Sequence, residues 1–216
     1  FLGDTIEKIA RTKMRSVDKK MIIGYQEFNE VYQTALKVKK ELKTEFNKDI
    51  EILKVEDFNI DYNFTFASYL KRNLSLVLKA LEELNLPINL EIFNSTPLFG
   101  RCQKINNNLF IDVGHNPLAA KVLLKEFENK KINLIYNSYA DKDYKEVLTI
   151  LKPIIKSIYI IDLEDKRVVE KSKLIEVIKD LEIDLKQNFE IKKDEEYLAF
   201  GSFLVVEKIL EIVGYE

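Results

Sequence analysis

Short apolar runs and helix-like apolar stripes alternate along the chain from residue 98 to its end. The runs typical of strands are 109–113, 132–136, 158–161 and 197–200, and the helical stripes lie at 118–127, 144–151, 171–181 and 203–213. Continuous apolar strands separated by helices indicate a parallel sheet that is covered on both faces, with right-handed crossovers. This part of the chain is therefore expected to be an α/β domain with a mostly parallel sheet flanked by helices.

The first part of the chain has longer helical stripes. Helices are predicted at 4–14, 27–46 and 66–84, strands at 21–25 and 50–58, and a turn at 59–63. Asp4 is the expected cap of the first helix, whose stripe of Ile6, Ile9 and Ala10 also includes Lys13. The stripe of the third helix is Leu70, Leu74, Val77, Leu78 and Leu81. The segment 87–97 is the predicted domain boundary, because the regular alternation of strands and helices begins after it.

Composition excludes several classes of protein. A chain of 216 residues suits one large domain, or one domain and part of another. Its net charge of −2 provides no overall basic field, so no nucleic acid is expected as a partner. No apolar run approaches the roughly 18 residues of a membrane helix, so no membrane is expected either. The single cysteine, Cys102, rules out an internal disulfide and suits a reducing cytoplasm, and the start at Phe1 without Met suggests a fragment of a longer protein.

The stretch that follows residue 108 reads as a strand that turns sharply into a helix. The strand ends in Asp112, the chain turns at Gly114 and His115, Asn116 can cap the helix, and Pro117 fits its first turn. Helix N-termini favour anions, phosphate among them, and ligands of open parallel sheets bind outside the carboxyl ends of the strands. Asp112 and His115 are therefore candidates for a ligand site, although an uncoupled loop histidine is the alternative for His115.

Two other polar groups follow predicted strands, so the topology would bring them to the same edge. They are Asp141-Lys142-Asp143 and Gly201-Ser202. Asp143 and Ser202 have a simpler interpretation as helix caps. Arg101 suits phosphate through its fixed fork of donors, and a solvated surface arginine is its alternative.

Lys13 lies on the apolar stripe of a predicted helix, and Asn73 lies inside another helix although asparagine is a poor helix former. Lys13 is interpreted either as a functional group or as a lysine whose stem packs along an apolar face. Asn73 either faces solvent or has a polar partner. The sequence contains no GxxxxGK[ST] phosphate loop, no HExxH and no GxSxG. If the sheet edge binds a nucleotide, the main phosphate cradle lies elsewhere.

The ordered set of motifs, rather than any single one, carries a resemblance to a known family. The set consists of Leu2-Gly3-Asp4-Thr5-Ile6-Glu7-Lys8-Ile9-Ala10 with Lys13, Gly100-Arg101, Asp112-Val113-Gly114-His115-Asn116-Pro117, Asp141-Lys142-Asp143 and Gly201-Ser202-Phe203. In this order and spacing it resembles the second half of folylpolyglutamate synthase and dihydrofolate synthase, which are enzymes of the Mur ligase type. The family usually has Pro-Gly-Arg where this chain has Phe99-Gly100-Arg101.

The resemblance implies a domain organisation and a reaction. Residues 1–94 would be the tail of an α/β ATPase domain, and residues 95–216 a Rossmann-like C-terminal domain, with ATP bound in the cleft between the two. The reaction would be ATP- and Mg²⁺-dependent addition of L-glutamate to folate or dihydropteroate through an acyl phosphate, in a cytoplasmic enzyme that is usually a monomer. Because the phosphate loop lies upstream in the family, this chain would be inactive alone.

The resemblance also implies roles for six residues. Lys13 would be the carbamylated lysine that helps to hold magnesium, and Asn73 would contact the adenine end of ATP. The residues expected to close over the nucleotide and its phosphates are Arg101, Asp112 and His115, with Ser202 as the serine of the Gly-Ser-Phe motif. Arg101, His115 and Ser202 would take part in catalysis. Two alternatives stay open: another Mur-type amino-acid ligase, and a non-catalytic α/β nucleotide-binding module.

Overall fold

The computed structural model describes residues 3–55, 67–95 and 98–215. The described chain divides into two compact units, the first containing 3–55 and 68–93 and the second containing residue 67 and 94–215. The predicted turn at 59–63, the end of the strand predicted at 50–58 and the start of the helix predicted at 66–84 lie outside the described residues. Within these residues, no helix is both long enough and apolar enough to cross a bilayer.

The first part of the chain folds as helices around a short parallel pair of strands. Its elements are α1 (Ile6–Met14), β1 (Lys20–Ile23), α2 (Asn29–Phe46), β2 (Glu51–Lys54), α3 (Ser68–Glu83) and α4 (Leu90–Ser95). Strands β1 and β2 pair in parallel from Lys20–Glu51 to Ile23–Lys54. The core includes Ala35, Val38 and Leu42 of α2, whose helical spacing makes one buried face that packs against the strands.

Two sequence predictions for this part are wrong in detail. The cap of α1 is Thr5, whose hydroxyl accepts a hydrogen bond from the Lys8 amide at 3.2 Å. Asp4 instead forms an ion pair with the Lys8 ammonium at 2.8 Å. Val77 does not join the buried stripe of α3, since it is 43% exposed while Leu74 is 4% exposed. Asp4 and Thr5 are adjacent and either residue type can cap a helix, so the sequence does not distinguish them.

The second unit confirms the predicted mostly parallel sheet flanked by helices. Its strands are β3 (Gln103–Lys104), β4 (Leu109–Asp112), β5 (Ile132–Tyr136), β6 (Ile155–Ile160) and β7 (Tyr197–Phe200), and its helices are α5 (Pro117–Glu126), α6 (Tyr144–Leu151), α7 (Lys171–Asp180) and α8 (Phe203–Ile212). A short 3-10 turn, Lys152–Ile154, leads into β6. The strand order is β3-β4-β7-β5-β6, and β3 pairs with β4 in antiparallel fashion.

Helices cover the two faces of this sheet unequally. Helices α5, α6 and α7 share one core with Leu134, Tyr136, Leu198 and Phe200. Helix α8 shares a second core, on the opposite face, with Ile111, Ile135 and Ala199. Strands β4 and β7 are therefore neighbours whose following helices leave on opposite faces of the sheet.

Candidate functional site

The carboxyl ends of the four parallel strands lie level with one another. Asp112 pairs with Phe200, Phe200 with Tyr136, and Tyr136 with Ile160. The helices that follow the neighbouring strands β4 and β7, α5 and α8, pack on opposite faces of the sheet. Open α/β sheets bind ligands at such a switch point. The site to consider is therefore formed by the loops that follow Asp112 and Phe200.

Asp112 braces the turn that follows β4. Its side chain is 3% exposed, one carboxylate oxygen accepts a hydrogen bond from the Gly114 amide at 2.7 Å, and the other accepts one from the Cys102 amide at 2.9 Å. The predicted cap is present as well, since the Asn116 side chain accepts a hydrogen bond from the Ala119 amide at 2.9 Å. Sequence reasoning placed the strand, turn and cap here correctly.

His115 is half-buried at this turn, with Nδ1 3.3 Å from the carbonyl oxygen of Val113. His115 follows β4 and Asp141 follows β5, so the topology places both beyond the carboxyl ends of the parallel strands. The pKa of the Asp141 carboxyl is lowered chiefly because the Lys142 ammonium donates a hydrogen bond to it at 2.8 Å, and His115 adds a smaller electrostatic attraction. Groups that follow β4 and β5 thus share one patch of the edge.

Gly201 and Ser202 form a tight passage from β7 into α8. Gly201 has φ +128°, and a Cβ built on it would lie 2.0 Å from the carbonyl oxygen of Asn137, so only glycine fits. Ser202 is buried and its hydroxyl accepts a hydrogen bond from the Val205 amide at 3.2 Å. Asp143 likewise caps α6 by accepting from the Glu146 amide at 3.0 Å. Ser202 and Asp143 thus both act as helix caps, as their simpler interpretation predicted.

Arg101 lies in a turn beside the strand-to-helix connection that follows Asp112. The carbonyl oxygen of Gly100 accepts a hydrogen bond from the Val113 amide at 2.9 Å, which holds this turn against the end of β4. Arg101 is exposed, and in the described part of the chain no carboxylate pairs with it. Its neighbour Cys102 is partly buried, and desolvation, with a smaller contribution from the Asp112 charge, raises the pKa of its thiol to about 12. An exposed guanidinium thus lies next to a partly buried thiol whose ionised form is disfavoured.

A groove of about 480 Å³ lies between the loop after β6 and helix α8. Its lining consists of Asp162, Leu163, Glu164, Leu204, Glu207, Lys208 and Glu211. Four of these side chains are carboxylates and one is a cation, so the groove would repel a phosphate-bearing ligand. It contains none of the residues singled out from the sequence.

Comparisons with known proteins show which proteins the chain resembles. No protein-family model matches the chain. A curated dihydrofolate synthase/folylpolyglutamate synthase of Buchnera aphidicola is 28% identical over 179 residues, covering 68% of this chain and 42% of the relative. The crystal structure of Helicobacter pylori folylpolyglutamate synthetase is 33% identical, with a TM-score of 0.63, and covers 99% of this chain and 58% of that one.

The chain resembles the C-terminal part of folylpolyglutamate synthase/dihydrofolate synthase. A bifunctional enzyme of this kind from Yersinia pestis, complexed with AMPPNP and a Mn ion, shares the fold at a TM-score of 0.79 and 18% identity, covering 99% of this chain and 58% of that one. The chain thus spans about half the length of the relatives it matches. The resemblance expected from the ordered motifs is confirmed.

The two residues that the folylpolyglutamate synthase resemblance places in the ATPase domain lie in the first unit. Lys13 is exposed on α1, whereas Ala10 and Met14 of the same helix are buried. Lys13 is thus exposed although its helical spacing places it on the same side as Ile6 and Ile9. Asn73 is exposed on α3, beside the buried Leu74, in agreement with its solvent-facing interpretation. Their predicted metal and adenine roles stay predictions.

A folylpolyglutamate synthase would also need a divalent metal ion. Among residues 3–55, 67–95 and 98–215, no group of three or more histidine, cysteine, aspartate or glutamate side chains is arranged to hold one. The described residues therefore do not make a self-contained metal site.

Sequence reasoning missed Asn137, which directly follows β5. Its side chain is 4% exposed, donates to the carbonyl oxygen of Ile161 at 2.7 Å and accepts from the Ser138 amide at 2.7 Å. Its own carbonyl oxygen faces Gly201. Asn137 thus ties together the ends of β5, β6 and β7, and its position immediately after a buried apolar run was the available signal.

Proposed function

We propose that the chain is the C-terminal part of an ATP-dependent ligase that adds L-glutamate to folate, to dihydropteroate, or to both, through an acyl phosphate. The observation that carries this proposal is the 33% identity to H. pylori folylpolyglutamate synthetase, which extends over 99% of the chain. In the proposal, residues 1–94 end an ATPase domain and residues 95–216 are a Rossmann-like domain. The division of the described chain near residue 93 supports that boundary.

The sheet edge has the chemistry to receive the phosphates of a nucleotide. Arg101 offers an exposed guanidinium, and His115 offers a half-buried imidazole at the switch point between β4 and β7. Asp112 does not need to touch the nucleotide to matter, since both of its oxygens already hold backbone amides of the two loops that carry these groups. We assign nucleotide contact to Arg101 and His115, and bracing of the edge to Asp112 and Ser202.

The reaction in this proposal has two steps. The folate or pteroate carboxylate takes the γ-phosphoryl group of ATP, and the amine of L-glutamate then displaces phosphate from the acyl phosphate. Phosphoryl transfer depends mainly on positioning and on stabilising the negative charge of the transition state. Arg101 supplies a positive charge for this purpose. Lys13 and Asn73 are proposed for the metal and adenine ends, where the described residues do not complete a site.

Because the phosphate loop is not among its residues, the 216-residue chain should bind ATP weakly and should not ligate glutamate by itself. The phosphate loop, absent from these residues, would belong to the rest of the protein. Glutamate ligation by the purified 216-residue chain would contradict this part of the proposal.

The deciding experiment is a substrate comparison on the complete protein that carries this chain. Its ATP-dependent ligation is measured with dihydropteroate, with folate and with nucleotide-sugar cell-wall precursors, each with and without L-glutamate. Glutamate-dependent ADP release with dihydropteroate or folate is expected. Activity with the cell-wall precursors alone would indicate another Mur-type ligase. Absence of all three activities, together with no upstream phosphate loop, would indicate a binding module.

A further inference from the structure

The turn formed by residues 100–103 holds Arg101 more firmly than an exposed arginine requires. The Gly100 amide donates a hydrogen bond to the side-chain oxygen of Gln103 at 3.1 Å, and the Gly100 carbonyl oxygen accepts one from the Val113 amide at 2.9 Å. The Cys102 amide donates to the Asp112 carboxylate at 2.9 Å. The backbone on both sides of Arg101 is thus fixed, and the guanidinium is left outside.

This turn also contains unfavourable backbone geometry. Gly100 has φ +68°, where a Cβ would come within 2.8 Å of Val113 Cγ1, and Cys102 adopts φ +46° although it is not glycine. A residue with a side chain in the left-handed region is strained and persists only when its surroundings hold it there. The hydrogen bonds that the side chains of Gln103 and Asp112 accept keep the turn in this conformation.

We propose that Gln103 is a positioning residue for Arg101, closing the turn so that the guanidinium is set in advance for an anionic ligand. Gln103 has a fixed place because it belongs to β3, where it pairs with Ile111 of β4. Its side chain therefore transmits the position of the sheet to the turn. Without this bond, Arg101 would have to be ordered each time the ligand binds, which lowers affinity.

The inference rests on the proposed function for the identity of its ligand, the phosphate groups of ATP. It is distinct from that function because Gln103 does not touch the ligand. A residue that acts through Arg101 should lose its influence once Arg101 is removed. A residue that only stabilises the fold should influence stability equally with or without Arg101, and should not alter the use of ATP.

The test is a double-mutant cycle in the complete protein, with Gln103→Met and Arg101→Ala alone and together. Methionine keeps the length of glutamine but is at best a weak acceptor. The KM for ATP, kcat and Tm are measured for each variant. Gln187→Met is the matched control, because Gln187 is exposed and the structure gives it no hydrogen bond within the described residues.

We expect Gln103→Met to raise the KM for ATP about three- to tenfold with kcat nearly unchanged, as for the loss of one neutral hydrogen bond. Arg101→Ala should raise it about tenfold or more, since a charged contact is lost. The double variant should then match Arg101→Ala within about twofold.

The inference fails if Gln103→Met leaves the ATP kinetics unchanged, or if the effects of the two substitutions multiply in the double variant. In either case the proposed function stands as long as the wild type ligates glutamate. Unchanged kinetics in Arg101→Ala would overturn the inference as well. If the wild type ligates nothing, the proposed function fails by itself. The double-mutant cycle then uses the dissociation constant for ATP in place of the KM. The same fold-changes are expected for each variant, and the same results would overturn the inference.

Discussion

Replacing Gly201 with alanine should be among the most damaging single-methyl changes in the second unit. The new Cβ would lie 2.0 Å from the carbonyl oxygen of Asn137, well inside van der Waals contact. That oxygen cannot easily retreat, because the Asn137 side chain is bonded to the Ile161 carbonyl and the Ser138 amide, both at 2.7 Å. Relief would have to come from moving β7 away from β5.

Two costs add at this position. An alanine at φ +128° costs about 1–3 kcal/mol in backbone strain. Overpacking against a fixed neighbour costs about 1–3 kcal/mol more. The sum, about 2–6 kcal/mol, is a large part of the roughly 5–15 kcal/mol that stabilises a typical domain. Gly214→Ala is the matched control: Gly214 has φ +64° with no atom within 4 Å of the added Cβ, so about 1–2 kcal/mol is expected.

Guanidinium denaturation of the 216-residue chain, followed by circular dichroism, measures both variants against the wild type. The midpoint should fall much further for Gly201→Ala than for Gly214→Ala, at a similar slope with denaturant. Equal losses of unfolding free energy in the two variants would refute the close approach of β5 and β7 at this edge. Such a result would also mean that the requirement for glycine at position 201 is not steric.

Three further predictions test separate features. Asn116→Ala should lower the free energy of unfolding by about 1 kcal/mol and leave the KM for ATP unchanged, and a changed KM would show that Asn116 does more than cap α5. With its pKa raised to about 12, Cys102 in the native chain should react with a thiol reagent at pH 8 at least about a hundredfold more slowly than in the denatured chain, and fast native reaction would contradict its burial. In the complete protein, Lys13→Ala should abolish ligation and regain part of it with added short carboxylates, whereas full activity would exclude a carbamylated lysine.

Most helices and strands of the second unit could be predicted because particular residue types mark where they begin and end. The helix that begins at Pro117 follows the cap Asn116. Strands β5 and β7 are runs that are apolar except for Asn133, and they are followed by Asn137 and Gly201. Strand β6 begins three residues earlier than expected, because Lys156 and Ser157 interrupt its apolar pattern. The apolar pattern of a sequence indicates which residues are buried. An exposed residue such as Lys156 interrupts that pattern although the strand continues through it.

Long-range arrangement was not predictable from these patterns. Strand β7 lies between β4 and β5, and the antiparallel β3 extends the sheet beside β4, yet neither fact leaves a local trace. The switch point therefore became visible only in the structure. The same holds for the hydrogen bond from Cys102 to Asp112, which joins residues ten positions apart. Sequence reasoning identified the groups at the edge, but not which of them brace it and which face outward.

The most direct test of the proposal that this sheet edge binds the nucleotide is the effect of His115→Ala on kcat/KM for ATP in the complete protein. His115 is half-buried at the switch point and its bond to the Val113 carbonyl is long, at 3.3 Å, so its removal should leave the Tm nearly unchanged. Loss of a contact to the phosphates is worth about 1.5–3 kcal/mol, or roughly a tenfold to hundredfold fall in kcat/KM. Near-normal ATP kinetics in a well-folded His115→Ala variant would contradict the assignment of this edge to the nucleotide.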